Sequence, residues 1–316
     1  MKAIGIDLGG TNIKTALVDR NEGIIKKFSI PTEADKGKNH VLDRVGEAVE
    51  QATSYSDEKP VGVGMGTPGM ISLDRTTVKN PPNLPGWKTV YISEEIKGRT
   101  GLDCRVENDA NLAALGSSQF GVGRSFDSLI MITLGTGVGG GIIFNKQLFR
   151  GTTGAAGELG HVIINYHGPL SNSVTRGGIE AYLGQRFLSR YAVDLIRQEP
   201  DNSLYTKFKD NPEDLEPLDL YNAANDGNEL AIKILRSSGE KLGYAIVNYV
   251  HILDIRKIVV SGGVAKAGDW ILEPARETAK KYMMSTFHED FEIIYESLGN
   301  DAAILGAAGL AFNELS

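Results

Sequence analysis

The sequence has little cysteine and no long apolar run. Only Cys104 among its 316 residues is a cysteine, so no disulfide can form within the chain and no zinc site with several thiolate ligands is possible. No stretch approaches the ~20 apolar residues that a membrane-spanning helix needs, and no basic segment followed by an apolar one indicates a secretion signal. We therefore expect a cytoplasmic protein with no membrane partner.

Positive charge is also scarce. The chain has 33 lysines and arginines against 40 aspartates and glutamates, which gives a net charge of −7. This balance disfavours a broad surface for nucleic acids or anionic membranes, so we expect no nucleic-acid partner. A hydrophobic content of 41% and a charged content of 23% are typical of a soluble globular protein, and the length suggests about two domains.

Glycine, in contrast, is abundant, and the 38 glycines cluster beside apolar runs. The first cluster, Gly9-Gly10, separates the apolar run 3–6 from the β-rich run 15–19, a pattern that predicts a hairpin. Paired glycines let a ligand approach the backbone closely and expose successive N–H groups, which suits phosphate oxygens. An ordinary hairpin with a Gly-Gly turn is the competing interpretation.

The side chains around this turn fit a nucleotide. Thr11 and Asn12 supply hydrogen-bond donors, and Lys14 supplies a positive charge. Asp7 ends the first strand, where a carboxylate can hold a metal ion through water.

A second and richer glycine turn strengthens this interpretation. Gly135-Thr136-Gly137 begins a glycine-rich segment that again lies between two predicted strands, 129–134 and the one starting at Ile142. The chain thus reads as two related halves, each opening with a glycine-turn hairpin.

Helical and strand patterns alternate along the chain, which predicts the α/β class. Apolar residues at helical spacing predict a helix over 38–54 and a long one over 230–253. An Ala/Gly-rich helix is predicted over 301–315. The proline-rich stretch Asn80–Trp87, which contains Asn83, is predicted to be an elaborate loop.

Three carboxylates and one histidine are candidates for chemistry. Asp109 begins a predicted helix, where an ordinary N-cap is the simpler explanation. Glu158 and His161 follow the glycine-rich segment 151–157, and Glu180 precedes Ala181-Tyr182. Each of these residues alone has a common structural role, as a helix-dipole partner or a hydrogen-bonded histidine.

Six motifs in order give the chain a resemblance to the ROK family of bacterial sugar kinases, especially its glucokinases. They cover nearly the whole chain. The matching stretches are 7–12, Gly66-Thr67-Pro68-Gly69, Glu107-Asn108-Asp109-Ala110-Asn111, 134–141, Gly157-Glu158-Leu159-Gly160-His161 and Ser261-Gly262-Gly263.

The resemblance implies the actin-like ATPase (ribonuclease H-like) fold, in which two α/β domains surround a central cleft. We expect the smaller N-terminal domain to comprise residues 1–118 and the closing helix 301–316. The larger domain then comprises residues 119–300.

The resemblance also implies roles for individual residues. Asp109 is the expected general base, because phosphoryl transfer needs a group that accepts the proton of the attacking sugar hydroxyl. The residues expected to contact the sugar are Gly69, Asn83, Asn108, Asp109, Glu158, His161 and Glu180.

ATP and Mg²⁺ are the cofactors that the resemblance implies. Mg²⁺ is expected to bridge the phosphates, with Asp7 nearby. The residues expected to bind the nucleotide are Asp7, Gly9, Gly10, Thr11, Asn12, Lys14, Gly135, Thr136, Gly137, Gly262 and Gly263.

One segment departs from the family pattern. Most ROK proteins carry C-x-C-G-x-x-G-C-x-E after the histidine and hold a zinc ion with that histidine and three cysteines. Here Ser171, Ser173 and Gly178 occupy the cysteine positions, and serine does not replace a zinc thiolate. We therefore expect no structural zinc, and another group must orient His161, with Ser171, Ser173 and His167 as candidates.

The predicted activity is ATP-dependent phosphorylation of a hexose in carbohydrate metabolism. Glucose, converted to glucose 6-phosphate as in glycolysis, is the expected substrate because the 83–87 loop is similar to glucokinase members. The alternatives are kinases for N-acetylmannosamine, N-acetylglucosamine or fructose, which differ at C2. A sugar-sensing regulator is another alternative, although a strand starting at Ala3 leaves no room for an N-terminal helix-turn-helix. By resemblance we expect a homodimer.

Overall fold

The computed structural model describes residues 1–173 and 175–316, in which strands and helices alternate. The strands are β1 (Lys2–Leu8), β2 (Asn12–Asp19), β3 (Gly23–Pro31), β4 (Val63–Gly66), β5 (Met70–Ile71), β6 (Val78–Lys79), β7 (Thr89–Val90), β8 (Cys104–Glu107), β9 (Leu129–Leu134), β10 (Val138–Phe144), β11 (Gln147–Leu148), β12 (Lys257–Ser261) and β13 (Glu292–Tyr295). The helices are α1 (Lys38–Ser54), α2 (Ile92–Thr100), α3 (Asp109–Phe120), α4 (Glu180–Leu183), α5 (Gln185–Ile196), α6 (Ser203–Phe208), α7 (Pro217–Asn225), α8 (Glu229–Leu253), α9 (Asp269–Tyr282) and α10 (Asp301–Glu314).

Two five-stranded sheets repeat one arrangement. The first has the order β3-β2-β1-β4-β8, in which β1 to β3 are antiparallel and β4 and β8 run parallel to β1. The second has the order β11-β10-β9-β12-β13, in which β12 runs parallel to β9 and β13. In each sheet the first strand is followed by a glycine turn and its hairpin partner, as the two-halves interpretation predicts. A small third sheet has the order β5-β6-β7.

The chain divides into two compact units. The first unit contains residues 1–128, 141–157 and 298–316, and the second contains residues 129–140 and 158–297. These units are defined by internal contacts, and the domain boundaries expected from the sequence stay a prediction.

Glycines let α10 lie directly on the first sheet and on α3. Side chains at Gly5 and Gly64 would overlap the α10 carbonyl oxygens of Ile304 and Ala307. At the crossing of α3 and α10, a side chain at Gly116 would likewise overlap the carbonyl oxygen of Ala302. The resulting core is built from Ala3, Ala16, Val18, Ile304, Leu305, Ala308, Ala311 and Phe312.

The other face of the first sheet packs on α1 and α2. Helix α1 covers residues 38–54 as predicted, and its buried stripe includes Val41, Val45 and Val49. Cys104 is fully buried in this core, and burial raises the pKa of its thiol to about 12. The thiol is therefore protonated at neutral pH and unreactive.

The second unit centres on the long helix α8, which packs against α9. Side chains at Gly239 and Gly243 would collide with α9 at Ile271 and Thr278, so these glycines set the close approach of the two helices. None of the helices in the described residues combines the length and the apolar character that crossing a membrane requires.

Candidate active site

The first glycine turn joins β1 to β2 in the first unit and is braced from β3. The Gly9 N–H donates to the carbonyl of Asn12 at 3.0 Å, which closes the turn. Thr32, just after β3, donates its backbone N–H to the carbonyl of Thr11 at 2.9 Å and its hydroxyl to the carbonyl of Gly9 at 2.7 Å. The two bonds from Thr32 use carbonyl groups of the turn, and the bond that closes the turn uses the N–H of Gly9.

The Pro-rich loop meets this turn. A Cβ at Gly10 would lie 2.8 Å from Cβ of Asn83 and 3.0 Å from its carbonyl oxygen. The structure thus brings together a residue expected at the phosphates and a residue expected at the sugar. Gly69 begins the segment before this loop with φ of 110°, and a Cβ there would lie 2.9 Å from the Lys79 carbonyl oxygen.

Asp7 and Lys14 face each other across the β1–β2 pair. Lys14 Nζ lies 3.0 Å from Asp7 Oδ2, and the Asp7 side chain is only 19% exposed. A single carboxylate at a strand end, next to a turn of backbone donors, is compatible with Mg²⁺, which binds proteins through one or two carboxylates and completes its shell with phosphates and water. Of these two residues, only Asp7 fits the ion, and Lys14 suits the phosphates.

The end of β8 places Asn108 and Asp109 at the start of α3. The N-cap is Asn108, whose Oδ1 accepts from the backbone N–H groups of Ala110 at 2.9 Å and Asn111 at 3.3 Å. Asp109 is the first helical residue and is exposed, while its Oδ1 also accepts from the Ala110 N–H at 2.9 Å. The capping role expected for this motif thus belongs to Asn108, and Asp109 is an exposed residue of the first helical turn.

Beneath this helix start lies a group of residues that we call the buried charge cluster: Glu107, Arg75, Arg150 and Asn111. Glu107 is completely buried. Its Oε2 lies 3.1 Å from Arg75 Nε and 2.6 Å from Arg150 Nε, and its Oε1 accepts from Asn111 Nδ2 at 3.2 Å. Burial lowers the pKa of the Arg75 guanidinium, although the Glu107 carboxylate beside it acts in the opposite direction.

The buried charge cluster is tied directly to the candidate base. Glu107 Oε1 accepts from the Asn108 N–H at 2.9 Å, so the carboxylate holds the backbone one residue before Asp109. Arg150 extends the cluster to the segment after Gly69, since it donates to the carbonyl of Leu73 at 2.7 Å and of Ser72 at 3.0 Å.

In the second unit, Glu180 supports the second glycine turn. The Gly135 N–H donates to the Gly137 carbonyl at 2.9 Å. Glu180 Oε2 accepts from the Val138 N–H at 3.3 Å, and a side chain at Gly137 would overlap that same carboxylate oxygen. Thr136 at the tip is exposed. A residue expected at the sugar and a turn expected at the phosphates are therefore in direct contact.

Glu158 and His161 come together on one short turn. Residues Leu159–His161 form a 3-10 helix, and the hydroxyl of Tyr249 donates to the Leu159 carbonyl at 2.7 Å. Through this turn His161 Nε2 lies 3.7 Å from Glu158 Oε2. A side chain at Gly160 would overlap the Val138 carbonyl oxygen, so the turn packs closely on β10.

The segment expected to have lost its zinc does not fit that metal. Serine hydroxyls are poor zinc ligands, and Gly178 has no side chain to offer. His161 Nδ1 lies 3.2 Å from Ser173 Oγ, so a hydroxyl occupies the direction that a metal would need. Among the described residues no group of three or more His, Cys, Asp and Glu side chains is placed to hold a metal ion.

Gly262 and Gly263 follow β12 beside a cavity. Gly262 has φ of 102°, and a side chain there would overlap the carbonyl oxygen of Leu134, the last residue of β9. Gly263 is exposed and lines a cavity of about 410 Å³. Its other walls are formed by Gln185, Glu216, Pro217, Leu218, Tyr221, Val264, Lys266 and Ala267.

A second cavity of about 790 Å³ starts at the other end of this surface. It is lined by Thr136 at the glycine turn and by one side of α5, including Arg186 and Arg190. The two cavities share Gln185 and Glu216 in their walls. The two cavities are therefore adjacent, with Thr136 in the wall of one and Gly263 in the wall of the other.

Comparison with known proteins identifies the family. The ROK family profile matches residues 3–314. The chain belongs to the ROK family. It is 35% identical over 310 residues to a glucokinase from Thermotoga maritima, which covers 98% of this chain and 97% of the relative. Its fold is accordingly the actin-like ATPase fold of the ROK sugar kinases, and the fold class predicted from the sequence is confirmed.

A solved glucokinase and a repressor are also similar to this chain. A ROK glucokinase from Streptomyces griseus, solved in complex with glucose and AMPPNP, is 31% identical with a TM-score of 0.82 and covers 99% of this chain and all of that one. The xylose repressor of Bacillus subtilis is 25% identical over 314 residues, covering 98% of this chain and 77% of the repressor.

Proposed function

We propose that this ROK protein transfers the γ-phosphoryl group of ATP to the 6-hydroxyl of glucose, with Asp109 as the general base. Phosphorylation of a sugar by ATP is the activity that its glucokinase relatives and the retained ROK motifs support. The observation that carries the proposal for this chain is the position of Asp109. Its carboxylate is exposed at the start of α3, on a backbone anchored by buried charge.

The surroundings of Asp109 suit a base. A helix N-terminus stabilises negative charge, which suits a carboxylate that accepts a proton. In the proposed step the proton of the sugar O6 moves to Asp109, O6 attacks the γ-phosphorus, and ADP leaves with the electrons of the broken P–O bond. Mg²⁺, when bound near Asp7, neutralises phosphate charge.

Some side-chain atoms of the proposed sugar-binding residues already make hydrogen bonds within the protein. We assign the sugar contacts to the other polar atoms of these side chains. Asn108 uses Oδ1 to cap α3, so its Nδ2 is the group that donates to a sugar oxygen. Glu158 presents a 68% exposed carboxylate, which accepts from two neighbouring hydroxyls. Glu180 binds the Val138 N–H through Oε2, which leaves Oε1 for the sugar. Gly69 and Asn83 complete the proposed set.

The nucleotide contacts follow the glycine turns. The turn Gly9–Asn12 and the turn Gly135–Gly137 each present backbone N–H groups to phosphate oxygens. The cavity at Gly263, with Tyr221 and Pro217 in its wall, takes the adenosine. Most of its lining is apolar, as expected for a site that receives a nucleobase.

Two alternative functions predict different results in a substrate assay. An N-acetylhexosamine or fructose kinase shares every element above and differs in contacts at C2, where one contact is worth about 1–3 kcal/mol. A regulator that binds sugar without turnover is favoured only by the repressor relatives. A homodimer and a cytoplasmic location stay predictions.

The test is ADP release in the presence of Mg²⁺ with glucose, mannose, fructose, N-acetylglucosamine and N-acetylmannosamine. We expect the highest kcat/KM for glucose. A higher value for an N-acetylated sugar or fructose would transfer the proposal to that substrate. Saturable sugar binding without ADP release would support the regulator.

The Asp109→Asn variant tests the base. We expect kcat to fall by about 10²–10⁴-fold while glucose binding stays within a few-fold, because the amide preserves shape and removes the proton acceptor. The matched control is Asp269→Asn, since Asp269 is also an exposed aspartate in a first helical turn and lies on α9. Normal turnover in Asp109→Asn would remove Asp109 from this role.

A further inference from the structure

Three hydroxyl side chains lie beside His161, and we call them the hydroxyl ladder: Ser171, Ser173 and Thr175. Ser173 Oγ is at the centre, 2.7 Å from Ser171 Oγ, 3.2 Å from Thr175 Oγ1 and 3.2 Å from His161 Nδ1. The Thr175 N–H also donates to Ser173 Oγ at 3.4 Å.

The backbone holds this ladder in place. The Ser171 N–H donates to the Thr175 carbonyl at 2.9 Å, and Leu170 and Arg176 form an antiparallel bridge. On the other side Ile163 pairs with Gly178. The ladder is therefore joined by main-chain bonds to the residues that directly follow His161, so Ser173 is positioned by the fold and not by its own rotamer alone.

The available donors and acceptors indicate the direction of the hydrogen bond between Ser173 Oγ and His161 Nδ1. A hydroxyl has one proton and two lone pairs. Ser173 Oγ accepts from the Thr175 N–H, while the Ser171 hydroxyl can donate to the Ser173 carbonyl at 3.1 Å or to Ser173 Oγ. The Ser173 proton can go to Ser171 Oγ, Thr175 Oγ1 or His161 Nδ1, and the imidazole nitrogen is the most basic of these acceptors.

The surroundings of the other ring nitrogen, Nε2, also favour a hydrogen bond donated by Ser173 to Nδ1. His161 Nε2 faces Glu158 Oε2 at 3.7 Å, and a carboxylate favours a proton on the nitrogen that points towards it. A neutral ring with its proton on Nε2 must accept at Nδ1. Both sides of the ring therefore favour one tautomer.

We propose that Ser173 is a positioning residue that donates its hydroxyl proton to His161 Nδ1 and fixes the Nε2–H tautomer. Ser171, which is 9% exposed, orients Ser173. A chain of neutral hydroxyls thus performs the orienting task for which most ROK proteins are expected to use a thiolate-bound metal. Only the consequence for sugar binding rests on the proposed function; the hydrogen bond itself does not.

The primary test is NMR of the wild-type protein with ¹⁵N-labelled histidine at pH 8. The signals of His161 are identified among those of the five histidines by comparison with His161→Gln. We expect a protonated Nε2 and an unprotonated Nδ1 that accepts a hydrogen bond. A protonated Nδ1 would overturn the proposal, as would one equivalent of zinc whose removal by a chelator shifts these signals.

Variants of the ladder extend the test. Ser173→Ala should change the Nδ1 signal and raise KM for the sugar about 3- to 10-fold with little change in kcat or in KM for ATP, because one hydrogen bond is lost. Ser173→Thr keeps the hydroxyl and should restore both readouts. Asn172→Ala, at the exposed neighbour, controls for disturbance of the loop.

Unchanged His161 signals in Ser173→Ala would overturn the proposal. If no sugar supports ADP release, the proposed function fails while the tautomer measurement still decides this inference.

Discussion

The candidate residues of the first unit and those of the second unit are supported in opposite ways. In the first unit the backbone before Asp109 is held by the buried charge cluster, in which Glu107 is completely buried between two guanidinium groups. In the second unit His161 is held by neutral hydroxyls, and Glu158 beside it is 68% exposed. The comparison indicates that the backbone before Asp109 is anchored by a buried carboxylate and guanidinium groups, whereas His161 is contacted by a hydroxyl side chain.

The largest expected effect comes from breaking the buried charge cluster. Glu107→Ala leaves the buried Arg150 without its carboxylate, while Arg75 keeps its ion pair with Glu314, and we expect the free energy of unfolding to fall by about 3–5 kcal/mol. Glu158→Ala, the exposed counterpart in the second unit, should change it by less than about 0.5 kcal/mol. Urea unfolding followed by circular dichroism measures both, and equal effects would contradict the comparison.

A smaller effect on stability is expected from replacing a guanidinium group by an ammonium group, which keeps the positive charge but has a different geometry. Arg150→Lys keeps the charge but cannot reach Glu107 and the carbonyls of Ser72 and Leu73 together, so we expect a loss of about 1.5–3 kcal/mol in urea unfolding. Arg197→Lys is the matched control, because Arg197 is 62% exposed. If Arg150→Lys is as stable as the control, the simultaneous contacts of the Arg150 guanidinium contribute nothing to the free energy of unfolding.

The smallest effect on stability is expected at the second glycine turn, where two alanine substitutions in the second unit can be compared. Gly137→Ala forces Glu180 away from the Val138 N–H and should lower the free energy of unfolding by about 1 kcal/mol, the value of one hydrogen bond. At Gly135 a Cβ meets no atom within 4 Å, so Gly135→Ala should leave stability unchanged. Similar unfolding curves for the two alanine variants would show that Glu180 is not held by this turn.

Local patterns in the sequence predicted the elements well. The helix over 38–54 matches α1 at both ends, and the helix over 230–253 begins one residue later than α8. These segments are long and strongly periodic, so the apolar spacing alone indicates them. The hairpins around the two glycine turns were also predicted, because glycine between apolar runs is a local feature.

The buried charge cluster could not be predicted. Glu107 was noticed only as part of a motif, and its partner Arg75 is 32 residues away in the sequence. A charged residue in a sequence is most often solvated, and nothing local says which of the 33 basic residues will meet it inside the fold. The choice of Ser173 over Ser171 or His167 was equally out of reach, since it depends on the pairing of two loop segments.

The close fit of α10 on β1 and α3 has a consequence for the order of folding. The first unit draws on three separate stretches of chain, and its core includes residues from both 1–128 and 298–316. During synthesis the apolar face of the early strands and α3 therefore stays uncovered until residues 298–316 have been translated. We expect this exposed face to favour aggregation of the incomplete chain.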